Sequence, residues 1–232
     1  MSENKKHNNT TATEKLEEET VEALSKSEQF LNKNTKSIAI GILVVILLVG
    51  GYLAYRHLYA MPREEKAYEA MSQAEFYFDR DSFQLALEGN GADVAGFLTI
   101  IDSYKGTKAE NLAQAYAGRS YYHLNDYERA IEHLKKYTGK DIMVAPSTKS
   151  LIGDSYVALG NYKEAVKYFE EAAKMSDNQL LTPIFLKKAG LAYEALGDKE
   201  KALETYQSIQ DKYSDTPEGM EVQKLIQALS YN

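Results

Sequence analysis

AGRSYYHLNDYERAIEHL (117–134), IGDSYVALGNYKEAVKYF (152–169) and AGLAYEALGDKEKALETY (189–206) superimpose without a gap. Gly118, Gly153 and Gly190 coincide, as do Tyr121, Tyr156 and Tyr193, and Ala130, Ala165 and Ala202. The glycines are spaced by 35 and then 37 residues. Each unit reads as a helix with a small contact residue and an aromatic, a turn, and a second helix with an alanine and then a bulky residue. The turns fall at Asn125-Asp126, Gly160-Asn161 and Gly197-Asp198, and the bulky residues are Leu134, Phe169 and Tyr206. Two helices approach closely only where small residues face each other, and the bulky side chains fill the space left between them. A period of this length predicts an all-α solenoid, in which each helix pair buries its apolar face against its neighbours.

Downstream, Glu218 to Ser230 places Val222, Leu225, Ile226 and Leu229 on one face, as expected of the terminal helix that stacked repeats need. Upstream the pairing is irregular. Phe97, Ile100, Ile101 and Tyr104 form a stripe ended by Gly106, with Asp93 placed to cap it. Helix is expected over Ser82–Leu87, stopping at Gly89-Asn90-Gly91, and over Arg63–Phe78 after Pro62. Ala74, Tyr77, Phe83 and Ala86 suit a degenerate unit.

Farther back lies IAIGILVVILLVGGYLAY (38–55), 18 residues without a charge. As a helix it measures about 27 Å, close to the hydrocarbon thickness of a bilayer. Lys33 and Lys36 flank one side, and Tyr52, Tyr55, Arg56 and Tyr59 the other, as at membrane interfaces. A buried core helix would need a protein large enough to wrap it. A cleaved signal peptide would be shorter and end in a small-residue site, and 37 residues precede this run. A retained single-pass anchor is the reading. Before it, residues 1–10 are polar and expected to be disordered. Thr11 with Glu14 reads as a capping box for a helix bearing Leu16, Ala23, Leu24 and Leu31.

The organisation expected is a cytoplasmic tail with a short amphipathic helix (1–36), a transmembrane anchor (37–59), an irregular helical or degenerate-repeat region (60–110), three repeats (111–217) and a capping helix (218–232). Residues 1–60 hold seven basic and seven acidic side chains, so the net charge of −7 belongs to 61–232. An acidic domain without a basic block is a poor partner for nucleic acid or anionic lipid. The chain has no cysteine, which excludes disulfides, thiolate metal sites and lipid attachment through a thioether. His7, His57, His123 and His133 lack metal-ligand spacing, and neither a phosphate-binding glycine loop nor G-x-S-x-G occurs. The expectation is no enzyme, no cofactor and no metal.

The repeat resembles the tetratricopeptide family, whose unit has 34 residues and the pattern W-x2-L-G-x2-Y followed by A-x3-F. Asn125 departs from it, standing where a turn glycine is usual. The resemblance implies a protein or peptide groove lined by the first helix of each unit. Its positions here are Leu112, Ala115, Arg119, Tyr122 and His123, then Ser147, Ser150, Asp154 and Val157, then Ile184, Lys187, Leu191 and Glu194. Members that grip a C-terminal carboxylate use Lys and Asn at positions held here by Ala115, Ser150, Arg119 and Asp154, so that clamp is missing.

Anchor plus repeat domain, with AGFLTIIDSYKGTKAENLAQAYAG (95–118), is similar to the ancillary subunit family of the SecYEG translocon. That resemblance implies residence in the bacterial inner membrane, repeats facing the periplasm, and partnership with SecYEG and a membrane-anchored periplasmic chaperone. A generic tethered scaffold for another envelope complex is the alternative. Local charge does not set the orientation, since Lys26, Lys33 and Lys36 before the span balance Arg56, Arg63 and Lys66 after it.

Overall fold

A computed structural model describes residues 3–230, apart from the side chains of 3–19, 22, 23 and 27. The chain divides into two units, 1–61 and 62–232. The first holds one helix, α1 (Glu3–Tyr55), and a π-helical turn (Arg56–Ala60). Its apolar stretch is long and apolar enough to cross a membrane by length and composition, and none of that window is buried. The expectation of an unstructured 1–10 followed by a separate tail helix is corrected, since the backbone is helical from Glu3 without a break. Elongating an existing helix avoids the cost of a second nucleus, and no proline interrupts 3–55. The Thr11–Glu14 box and the side chains of Leu16 and Ala23 lie outside the described residues.

The second unit is helical throughout: α2 (Met61–Phe78), α3 (Phe83–Glu88), α4 (Phe97–Ser103), α5 (Lys108–His123), α6 (Tyr127–Lys136), α7 (Val144–Ala158), α8 (Tyr162–Ser176), α9 (Thr182–Ala195), α10 (Lys199–Tyr213) and α11 (Pro217–Ser230). Helices α5/α6, α7/α8 and α9/α10 form the three pairs, each packed on the next, and α11 closes the stack. The glycines sit where the alignment places them. A Cβ at Gly118 would lie 2.5 Å from Leu134, one at Gly153 2.6 Å from Phe169, and one at Gly190 would collide with the Tyr206 ring.

The turns between paired helices share one geometry. Asp126, Asn161 and Asp198 each donate their backbone N–H back to the carbonyls of Tyr121, Tyr156 and Tyr193 at 2.8–3.0 Å. Asn125, Gly160 and Gly197 take positive φ of 62°, 72° and 77°. Asn125 therefore makes the left-handed turn that glycine makes elsewhere, and its side chain accepts the Tyr127 hydroxyl at 2.8 Å. The same turn recurs between α2 and α3, where Ser82 donates to the Tyr77 carbonyl at 3.0 Å and Asp81 has φ 57°. Ala74 and Ala86 are fully buried there, but α2 and α3 do not pack along each other as the three pairs do.

Asp93 does not cap α4. Gly96 precedes that helix without a side-chain cap, because Gly89 and Ala95 pair as a short bridge that turns the chain first. Glu64 of α2 accepts the N–H groups of Lys108 and Ala109 at 3.1 and 3.0 Å, and Arg63 donates to the Ser103 carbonyl at 3.1 Å. Helix α2 thereby fixes both ends of the α4–α5 connection.

Candidate functional site

Four of the groove positions converge on one cleft. Arg119 from α5, Ser147, Ser150 and Asp154 from α7, and Lys188 from α9 line a hollow of about 410 Å³, with Met143, Val144, Leu151 and Phe185 as its apolar surface. Asp154 accepts Lys188 Nζ at 2.6 Å, and Ser150 Oγ lies 3.4 Å from the same ammonium. The α7 carboxylate is thus neutralised by α9. Arg119 is exposed and has no ion pair among the described residues; its guanidinium lies 5.2 Å from the Phe78 ring centroid and 5.8 Å from that of Tyr116. The cleft therefore offers one cation beside an apolar wall. Tyr122, half-buried, has its hydroxyl pushed above its ordinary range by burial and by the Asp154 charge.

The remaining positions are used otherwise. Leu112 packs on the core, and Ala115 is buried at 2% exposure. Tyr122 packs against Tyr127 with centroids 5.6 Å apart. His123 stacks on Phe83 at 4.2 Å, whereas His133 bonds Gln114 at 2.9 Å and stacks on Tyr121, so the two histidines have separate partners. Burial lowers the pKa of both histidines. Ile184 packs against the α8 alanines, and Glu194 accepts the Tyr206 hydroxyl at 2.5 Å. Val157 and Leu191 are exposed but lie outside the cleft lining. Lys187 also lies outside that lining and pairs with Glu221 of α11 at 2.8 Å; its neighbour Lys188 is the α9 cation in the cleft.

Met143 and Val144 were not foreseen in the groove. Met143 ends the 137–143 connection and Val144 opens α7; Asp141 folds this junction by accepting the Tyr137 hydroxyl at 2.9 Å, the Met143 N–H at 3.0 Å and the Val144 N–H. Burial would raise the Asp141 carboxyl, but these bonds outweigh it and hold it below the usual range. Burial and Asp141 together push the Tyr137 hydroxyl up to about 12. The legible signal was Ile142-Met143-Val144, three apolar residues at the end of an otherwise polar connection, exposed at 70%, 46% and 38%.

Among the described residues no group of three His, Cys, Asp or Glu side chains could hold a metal ion. Paired helices with shared turns, glycine contacts and a cleft on the first helices form an all-α solenoid of the kind that tetratricopeptide repeats build. Residues 151–217 match the family model described as tetratricopeptide repeat, and residues 98–172 match that of anaphase-promoting complex, cyclosome, subunit 3. The photosystem I assembly protein Ycf3 of Prochlorococcus marinus (strain NATL1A) is 45% identical over 47 residues, 20% of this chain and 27% of that protein. A TPR repeat-containing protein of Methanocaldococcus jannaschii is 32% identical over 100 residues, 43% of this chain and 17% of that one. The chain thus matches about a quarter or less of the length of these relatives. The crystal structure of a Podosopora anserina protein assigned as a kinesin light chain, with nearly identical TPR-like repeats, superimposes with a TM-score of 0.56 at 15% identity. It covers 72% of this chain and 86% of that one. This likeness supports the fold.

Proposed function

We propose that the protein is a membrane-tethered interaction module that holds a protein partner in the α5/α7/α9 cleft. The observation that carries this reading is the cleft itself, where Arg119, without an acidic partner among the described residues, stands beside the apolar surface of Met143, Val144, Leu151 and Phe185. Apolar contact supplies most of the affinity in such a site, and a few polar groups set the register. The uncharged stretch 38–55 supports the tether. The resemblance to the translocon family favours SecYEG and a membrane-anchored periplasmic chaperone as partners, with the repeats on the periplasmic side of the inner membrane. The relatives named for photosystem I assembly favour the second reading, a scaffold for a different envelope complex.

Arg119→Glu with Met143→Asp changes two exposed side chains of the cleft. Detergent-solubilised membranes carrying the wild-type chain are expected to yield translocon subunits on affinity purification, and the variant is expected to lose them with its helical circular-dichroism signal intact. Recovery of a different envelope complex would select the second reading. Full retention by the folded variant would move the binding site out of the cleft. A reporter active only outside the cytoplasm, fused after Asn232, is expected to be active; silence with good expression would reverse the orientation.

A further inference from the structure

A second groove, built from other residues, runs along α2 and the 89–96 connection. Two adjoining hollows of about 640 and 370 Å³ share Gln73, Asp93 and Val94. Their α2 side extends from Lys66 to Tyr77, about 16 Å of helix at 1.5 Å per residue.

Three N–H groups of the facing wall are already engaged. Asn90 Oδ1 accepts the N–H groups of Ala92, Asp93 and Val94 at 3.0, 2.9 and 2.9 Å. Converging loop N–H groups ordinarily cradle an anion, and here a side-chain carboxamide already fills that place. What the groove as a whole presents outward is mainly carboxylate. Glu69, Glu88 and Asp93 line the groove, all three exposed, and among the described residues no hydrogen bond or ion pair engages their carboxylates. Lys66 is the basic side chain of the lining. At the far end lie Phe76, half exposed at 50%, with Tyr77 and Val94. Arg80 covers the Phe76 ring at 3.4 Å and donates to the Phe76 carbonyl at 2.9 Å, which pins the aromatic in place.

We propose that this groove docks a basic segment of a partner protein. Lysine or arginine side chains of that segment pair with Glu69, Glu88 and Asp93, and an apolar side chain between them rests on Phe76, Tyr77 and Val94. Charge complementarity fixes the class of occupant. Glu69, Glu88 and Asp93, unpaired among the described residues, outnumber Lys66 and the Arg80 guanidinium held on Phe76, a balance that repels an anionic membrane surface or a nucleic acid and attracts a cationic chain.

The test uses the full-length protein in non-ionic detergent, immobilised through a C-terminal tag, to select from a phage-displayed random dodecapeptide library. Enriched sequences are expected to carry at least two Lys or Arg around an aliphatic or aromatic residue. Synthesised with a fluorescein label, such a peptide should bind E69K/E88K/D93K at least tenfold more weakly than wild type. Its affinity should also fall several-fold between 50 and 300 mM NaCl. The Arg119→Glu, Met143→Asp variant should bind it unchanged, which separates this groove from the α5/α7/α9 cleft. If the lysine variant loses its helical signal, E69Q/E88Q/D93N replaces it, with a smaller but clear loss expected. Neutral or acidic selected peptides, undiminished binding by the folded triple variant, or loss on the cleft variant instead would overturn the proposal. So would a wild-type dimer by sedimentation that the triple variant dissolves, since the occupant would then be a second copy.

Discussion

Tyr206 fills the volume that Gly190 leaves open, and its hydroxyl donates to Glu194 at 2.5 Å from a side chain with no exposed surface. Burial and the Glu194 carboxylate push that hydroxyl's pKa well above its ordinary range. Gly190→Leu would force the ring out of this position, and overpacking of this kind typically costs about 1–3 kcal/mol. For a domain of this size each kcal/mol is worth roughly 2–4 °C. The melting temperature is therefore expected to fall by several degrees, with Gly160→Asn, at an open left-handed turn position of the kind Asn125 already occupies, as the permissive control. His123 and His133 set a pH dependence. Burial holds both below their ordinary pKa, with Arg119 adding to the shift at His123 and Lys136 at His133. A base depressed in the folded state leaves the unfolded chain to bind protons first. Stability is therefore complete above about pH 6.5, the unfolded histidine value, and declines as pH falls below it. Urea midpoints measured at pH 7.5 and 5.5 should differ in the wild type, and the double variant His123→Gln, His133→Gln should narrow that difference.

At the scale of the helices, Glu64 acts where no local residue could. Its carboxylate takes two N–H groups at the start of α5, adding to the Thr107 cap, whose side chain accepts from Glu110 N–H. Anionic groups at helix N-termini are stabilising, and loss of a cap typically costs about 1 kcal/mol. Glu64→Ala should therefore speed amide exchange at Lys108 and Ala109 without altering that at α9. A contact 44 residues apart in sequence has no periodic signal, so it was not legible, whereas the glycine-to-bulky contacts were. Those contacts recur with the repeat, and one alignment places Leu134, Phe169 and Tyr206 opposite their glycines. The groove was legible only in part. Arg119, Ser147, Ser150 and Asp154 line one cleft, which Lys188 completes from α9, while Lys187, the position given by the family register, pairs with Glu221 of α11. Met143 and Val144 entered at a junction whose shape depends on Asp141. Asn125 looked like a weak point in its repeat, yet asparagine tolerates the left-handed region, and the turn is the same.

Across the whole solenoid, stability is shared between neighbours, so the end of the stack sets how far fraying travels. Helix α11 packs on α10 and α9. It closes the last pair by burying Val222 fully and resting Leu225, Ile226 and Leu229 against Tyr206, Ile209 and Tyr213. Lys187 of α9 also reaches Glu221 of α11, but both ends are solvent-accessible, and an ion pair of this kind adds little beside apolar burial. Fully burying one side chain of valine size contributes roughly 1.5–3 kcal/mol, and the three half-buried residues add to it. Ending the full-length chain after Thr216 would expose Ile209 and Tyr206, which have no solvent-exposed surface in the intact protein. A fall of roughly 5–10 °C in melting temperature is expected from these terms. Position matters as much as size. Hydrogen exchange should accelerate most in α9 and α10, less in α7 and α8, and least in α5 and α6, because each pair contacts only its neighbours. A uniform loss of protection from α5 to α10 would mean instead that the pairs unfold as one cooperative block, and damage at Gly190 would then be felt equally at the Arg119 cleft.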